Sequence, residues 1–240
     1  MDLRIDAGGV TLSGSEDGEG APVVLLHGLT ATRRYVVMGS RALERSGHRV
    51  IAYDARAHGK SDGGDDYGYG RLAADLLAVL DVRELDKAVL AGASMGAHTL
   101  TAFALEHPER VAALVIMTPA YSPERDPGLE RWDRLADGLR TGGVDGFVEA
   151  YGTPDVPEKW HETISRVLHQ RLSAHAHPDA LADAIQAVPR SRPFEAWSDL
   201  EAIPGARLVS EGEGTSPLAW QGAQVSKVIT EVAESAAGAP

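Results

Sequence analysis

The sequence predicts an α/β fold: a mostly parallel sheet with helices on both faces and a helical insertion after the strand at 111–117. Three observations predict it. Short apolar runs recur at Pro22–Leu26, Arg49–Tyr53, Lys87–Ala91 and Val111–Met117. The first three each run into a polar, glycine-containing turn. Each of those turns leads into a stretch with helical spacing, so the turns share one edge of the sheet.

In chain order, Leu3–Ile5 and Val10–Leu12 flank Gly8-Gly9 and read as an antiparallel hairpin. After the strand at 22–27, Arg33–Arg45 carries helical spacing that Ser46-Gly47 stops. The strand at 49–54 is followed by a loop, Asp62–Asp66, and an amphipathic helix over Tyr69–Val82 with Leu72, Leu76 and Leu80 on one side. The strand at 87–91 meets Gly92-Ala93-Ser94-Met95-Gly96 and then a helical segment to Leu105. From Tyr121 to about Arg192 four helical stripes follow without a strand between them. They are Leu129/Trp132/Leu135/Leu139, Val144/Phe147/Val148/Tyr151, Trp160/Ile164/Val167/Leu168/Leu172 and Leu181/Ile185/Val188. Phe194–Ile203 reads as one more helix and Ala206–Val209 as the last strand.

The G-x-S-x-G pattern at 92–96 is the most informative of these features. A strand that turns sharply into a helix at a serine lifts the hydroxyl above the sheet and aims the first helical N–H groups at whatever it attacks. Glycines belong at 92 and 96 because the turn brings backbone segments too close for a Cβ. Two further motifs keep it company: His27-Gly28-Leu29-Thr30 after one strand, and Asp54-Ala55-Arg56-Ala57-His58-Gly59-Lys60-Ser61 after the next. In this order and at this spacing, over roughly residues 1–119, the chain resembles the α/β-hydrolase family. Ala57 departs from the pattern, where the family has glycine.

The resemblance implies an α/β-hydrolase core of residues 1–119 and 193–240, with 120–192 as a helical cap over the site. It also implies Ser94 as nucleophile, with the backbone N–H groups of Met95 and Leu29 as the oxyanion hole. Beyond the insertion the resemblance breaks. The family continues with a strand ending in an acidic residue and a last strand followed by Gly-His, giving the chain order serine, acid, histidine. Here the helix at 194–203 runs straight into the last strand, so about 30 residues, a strand with its loop and helix, are absent. All nine histidines lie at or before His177, and Ser210–Pro217 stands where Gly-His is expected.

The base therefore has only weak candidates: His27 beside the oxyanion turn, His98 one helical turn after Ser94, His58, and His161, His169, His175 and His177 in the insertion. The bland reading of each is a histidine that bonds its own surroundings. For the acid, Glu124, Asp126, Glu211 and Glu213 compete with the reading that all four are solvated loop charges. If the last strand moves into the vacant place beside 111–117, Glu211 and Glu213 follow the end where the family keeps its acid. Asp54 and Arg56 read as loop braces. His175-Ala176-His177 lacks an acidic partner at ligand spacing, so no metal is expected, and no cofactor motif is present.

Composition narrows the function further. A 240-residue chain with 43% hydrophobic and 24% charged residues fits one α/β domain with an insertion. A net charge of −12 argues against nucleic acid or an anionic membrane surface as partner. The absence of cysteine removes disulfides and thiolate chemistry. The charged N-terminus lacks a signal-peptide core and no apolar run nears the ~20 residues that span a bilayer, so a cytoplasmic location is expected. A serine at 94 excludes a nucleophilic aspartate there. The expected function is hydrolysis of a small apolar ester, thioester or lactone with a non-standard triad. The competing expectation is an inactive relative that binds a small ligand or a protein. Loss of a strand exposes an apolar edge that a homodimer would cover.

Overall fold

The computed structural model describes residues 1–153, 155–203, 207–208 and 222–237. Seven strands form one sheet: β1 (Asp2–Asp6), β2 (Thr11–Asp17), β3 (Ala21–Leu26), β4 (His48–Tyr53), β5 (Ala88–Ala93), β6 (Val111–Met117) and β7 (Arg207–Leu208). Their order across the sheet is β1-β2-β4-β3-β5-β6-β7. The hairpin β1–β2 is antiparallel and β2 pairs antiparallel with β4, whereas the pairs β4–β3, β3–β5, β5–β6 and β6–β7 are parallel. The carboxyl ends of β3, β4, β5 and β6 therefore share one edge.

Why these runs become central strands is visible in their side chains. Along β3, Val24 and Leu26 enter the core on one face while Val23 and Leu25 enter the other, and β5 repeats this with Leu90 against Val89 and Ala91. A strand buried on both faces needs such an unbroken apolar run. On the first face lie α2 (Tyr69–Val82), through Leu72, Leu76, Val79 and Leu80, and α3 (Met95–Glu106), through Leu100 and Phe103. The second face is covered by α1 (Ala42–Arg45), through Leu43, and by α7 (Gly222–Ala237), through Val225, Ile229 and Val232. Each such side chain contributes about 1.5–3 kcal/mol of burial. The α7 stripe at i, i+4, i+7 forms a helix that was not expected from the sequence.

Two elements differ from the sequence expectation. Arg33–Arg45 is not one helix but a 3₁₀ turn at Arg33–Tyr35 and the four-residue α1. Met38 (φ 50°) and Gly39 (φ 74°) turn left-handed between them, and Val36 and Val37 both enter the core, which adjacent positions of a surface helix do not do. Phe194–Ile203 contains only a 3₁₀ turn, Trp197–Ala202. Of the last strand expected at 206–209 the described residues are β7, and it stands beside β6, with Val115 opposite Arg207 and Ile116 opposite Leu208.

Between β6 and β7 the chain forms α4 (Leu129–Tyr151), α5 (His161–Leu172) and α6 (Pro178–Ala187). They share a third apolar cluster that includes Leu135, Leu139, Phe147, Leu168, Leu181 and Ile185. The two expected helices at 129–139 and 144–151 meet at Gly143 (φ 61°, ψ −145°). Across that kink Gly138 and Gly146 touch backbone to backbone, and a Cβ on Gly138 would lie 2.5 Å from Gly146 O. Leu29, on the turn after β3, packs against both this cluster and the one beneath the sheet. Among the described residues no helix is long and apolar enough to cross a membrane.

Candidate active site

Ser94 sits at the junction of β5 and α3 with φ 51° and ψ −114°, a left-handed backbone for a residue with a Cβ. Such a conformation costs on the order of 1–3 kcal/mol and persists only where the surroundings over-determine it. Here they do. Ser94 N–H donates to Met117 O at 3.0 Å and Ser94 O accepts from His98 N–H at 3.0 Å, tying the residue to the end of β6 and the first turn of α3. The flanking glycines carry the close approach the sequence anticipates. A Cβ at Gly92 would lie 2.6 Å from the Gly96 carbonyl, and one at Gly96 would lie 2.3 Å from Leu26 O.

The turn after β3 lies directly beside the serine. A Cβ on Gly28 would fall 3.3 Å from Ser94 Cβ and 3.9 Å from Oγ. Among the described residues neither Leu29 N–H nor Met95 N–H donates to another backbone group. Met95 is the first residue of α3, so its N–H has no partner within the helix and carries the positive end of the helix dipole. An acyl oxygen becoming negative next to Ser94 would find donors of this kind.

The loop after β4 is held from inside. Asp54 accepts from Arg33 N–H at 2.8 Å and Lys60 N–H at 3.2 Å and pairs with the Arg33 guanidinium. Arg56 makes a two-pronged bond to Asp75 on α2, with Nε and Nη2 each 2.7 Å from a carboxylate oxygen and both side chains buried. Ala57 takes φ 64°, so the loop keeps the left-handed turn that glycine would make without strain.

The histidines expected as weak bases have other partners. His27 Nε2 accepts from Ala55 N–H at 2.9 Å, which puts the proton on Nδ1, donating to Gly28 O at 2.8 Å. His98 Nε2 accepts from the N–H groups of Ala120 and Tyr121, both at 3.1 Å, and its Nδ1–H faces Tyr69 O at 3.1 Å. In these tautomers both nitrogens of His27 and of His98 are engaged by partners other than Ser94. His58 likewise accepts from Thr30 N–H (3.3 Å) and donates to Arg56 O (2.9 Å). His175 accepts from Gly59 N–H (2.8 Å) and donates to Thr30 O (3.1 Å). Burial drives all four rings below the ordinary imidazole range, His98 and His175 to about 4. At neutral pH they are uncharged braces.

The remaining candidates spread out. His161 bonds Val156 O, His169 lies 3.0 Å from Asp145, and half-exposed His177 is 3.9 Å from Asp62. Glu124 and Asp126 are exposed turn residues, and Asp126 accepts from Gly128 N–H just before α4. Glu211 and Glu213 lie outside the described residues. Among the described residues Ser94 Oγ makes no cap hydrogen bond to α3, and no three His, Asp or Glu side chains gather at metal-ligand distance. Phe147 is buried in the insertion and Trp132 and Tyr151 pack against its cluster, while Trp160 stays 51% exposed.

One residue escaped the sequence reading. Arg171, in the last turn of α5, sends Nη2 to Leu29 O (3.2 Å) and Thr30 Oγ1 (2.8 Å), with its guanidinium over the Tyr35 ring. No signal near position 171 foretells this contact, because its partners are more than 140 residues away.

Comparison with known proteins gives the same architecture. Residues 21–205 match the family model described as alpha/beta hydrolase fold. The chain is 30% identical over 210 residues to the protein named "Putative carbamate hydrolase RutD" of Variovorax paradoxus, covering 86% of this chain and 78% of that one. It is 32% identical over 198 residues to a 2-hydroxy-6-oxononadienedioate/2-hydroxy-6-oxononatrienedioate hydrolase of Pseudomonas putida, covering 73% and 65%. A thermophilic esterase from Thermogutta terrifontis superposes with a TM-score of 0.77 at 23% identity, covering 98% of this chain and 99% of that one, which shows the shared fold. With its model match, its strand order and its strained strand-to-helix serine, the chain belongs to the alpha/beta hydrolase fold family.

Proposed function

We propose that the protein is a serine hydrolase of small apolar esters, thioesters or lactones. Ser94 Oγ attacks the acyl carbon, the N–H groups of Met95 and Leu29 receive the oxyanion, and the alcohol or thiol leaves. Water then releases the acyl group from the serine. In this reading water takes the proton of Oγ and gives one to the departing oxygen or sulfur, so that the alcohol or thiol leaves neutral. A general base normally contributes ~10²–10⁴-fold, so turnover is expected to be slower than that of a full triad by about that factor. The helices at 120–192 act as the cap, over a core of 1–119 and 193–240, in a cytoplasmic protein whose partner is its small substrate rather than nucleic acid or membrane.

The observation that carries this reading is the Ser94 backbone, φ 51° and ψ −114°, beside Gly28. Hydrolase activities named for the relatives support it. The test is covalent labelling by a fluorophosphonate, read by intact mass, with p-nitrophenyl acetate turnover measured alongside. Labelling at Ser94, and loss of both signals in Ser94→Ala, is the expected result. An unlabelled native protein with serine-independent turnover overturns it.

Among the described residues no side chain bonds Oγ, which favours a second reading, an inactive relative that binds a small apolar ligand or a protein. A ligand or partner would then raise the Tm equally in the native protein and in Ser94→Ala. A homodimer over the β7 edge belongs with this reading, and light scattering reports it.

A further inference from the structure

We propose that Arg171 and His175, on the helical insertion, are positioning residues for the turn after β3: they hold Thr30 and thereby fix where Leu29 N–H points. This rests on the reading of Leu29 N–H as an oxyanion donor. Thr30 carries φ 65°, a left-handed conformation that a β-branched residue avoids. All of its polar groups are bonded. The N–H donates to His58 Nε2 at 3.3 Å, the carbonyl accepts from His175 Nε2–H at 3.1 Å, and Oγ1 accepts from Arg171 Nη2 at 2.8 Å. Arg171 Nη2 also donates to Leu29 O at 3.2 Å. The Leu29–Thr30 peptide is thus held at its oxygen by Arg171 and at its N–H by His58. Peptide planes are rigid, so a plane fixed on one side of Leu29 and a Gly28 oxygen fixed by His27 on the other leave the Leu29 N–H little freedom.

The chemistry of Arg171 singles it out. Arg56 is buried against a carboxylate that answers its charge. Arg171 has no carboxylate partner among the described residues, and its Nε is buried without a hydrogen bond. A desolvated cation without an anion is costly, and burial pulls its pKa below the ordinary guanidinium value. Mere attachment of the insertion would be served better by an apolar side chain, which Leu29 already supplies against the same cluster. What a guanidinium adds is one nitrogen that donates to two oxygens of the strained turn. His175 follows four residues later and meets the same turn from its carbonyl side.

The experiment compares the native protein with Arg171→Met, Arg171→Lys, His175→Phe and Arg140→Met. Arg140 joins α4 to α6 through Asp183 and Gln186, away from the turn, so its variant loosens the insertion alone. Phosphonylation rate, kcat and KM for p-nitrophenyl acetate, and Tm are read for each. Losing a whole oxyanion donor costs ~10²–10³-fold, so misdirecting one is expected to slow phosphonylation and kcat by ~10–100-fold in Arg171→Met and His175→Phe. KM should move less than about twofold, because the donor acts on the transition state. Arg171→Lys, which keeps a donor, should recover part of the rate. Arg140→Met should lower Tm and leave the rate in place. If Arg171→Met does not fold, Arg171→Lys and His175→Phe, measured below their Tm, decide the matter. Rates in these variants within twofold of native, or an equal loss in Arg140→Met, overturn the proposal. A native protein that is never labelled overturns the reading of Ser94 instead.

Discussion

The turns after β3 and β4 and the segment after β6 flank the same serine, yet they are fastened in different ways. On the β3–β4 side, His27, His58 and His175 each bond two backbone groups, and Arg33–Asp54 and Arg56–Asp75 lock the loop between them. On the β6 side, among the described residues, His98 holds the N–H groups of Ala120 and Tyr121 and Arg192 bonds Tyr121 OH and Pro123 O, while Glu124 and Asp126 stand in solvent. The part of the site made of backbone N–H groups is thus heavily braced. Among the described residues the part that should move protons is thin. Oxyanion donors depend on dihedral angles and glycines, which many sequences satisfy; a base must be one particular side chain at one particular place.

Acid tests this contrast most severely. Burial holds His98 and His175 at about 4, below the ordinary 6.5, and lowers His27 and His58 as well. The unfolded chain therefore binds more protons between those values, so the stability of the neutral rings is fully present above pH 6.5 and lost as pH falls toward 4. For His98 and His175 the loss is about 3 kcal/mol each. Urea unfolding from pH 7.5 to 4.5 should show stability falling steeply, and a flat profile would mean the braces are not neutral histidines. Next in size, Arg56→Met leaves Asp75 buried and unpaired and should cost about 3–5 kcal/mol by chemical denaturation.

Gly96→Ala drives a methyl against Leu26 O and should cost about 2–3 kcal/mol while reducing Ser94 labelling. Ser94→Gly should act in the opposite direction, raising stability by about 1 kcal/mol as the left-handed strain is relieved and abolishing labelling. Smallest of all, Glu124→Ala and Asp126→Ala should leave turnover within about twofold and stability within about 0.5 kcal/mol, as exposed turn charges do. A large loss of turnover in either would restore an acid to the thin side and erase the contrast.

The braced side was also the side legible in the sequence. His27-Gly28, Asp54 to Ser61 and Gly92 to Gly96 are local motifs whose spacing reports local geometry, and β3, β4, β5 and β6 were readable because doubly buried strands are unbroken apolar runs. The helix expected over Arg33–Arg45 failed where Met38 adopts φ 50°, a choice made by burying Val36 and Val37 together rather than by propensity. The histidines could be named but not placed, since the partners of His175 lie 116 and 145 residues away. Arg171 looked like any basic residue in a helical turn. Only long-range packing shows that it meets Thr30.

The outermost strand, β1, alternates Asp2, Arg4 and Asp6 in solvent with Leu3 and Ile5 inside. Charges along an unpaired margin discourage another chain from adding its own strand there. Strand-by-strand self-association through this margin is therefore disfavoured by three acidic or basic side chains facing solvent.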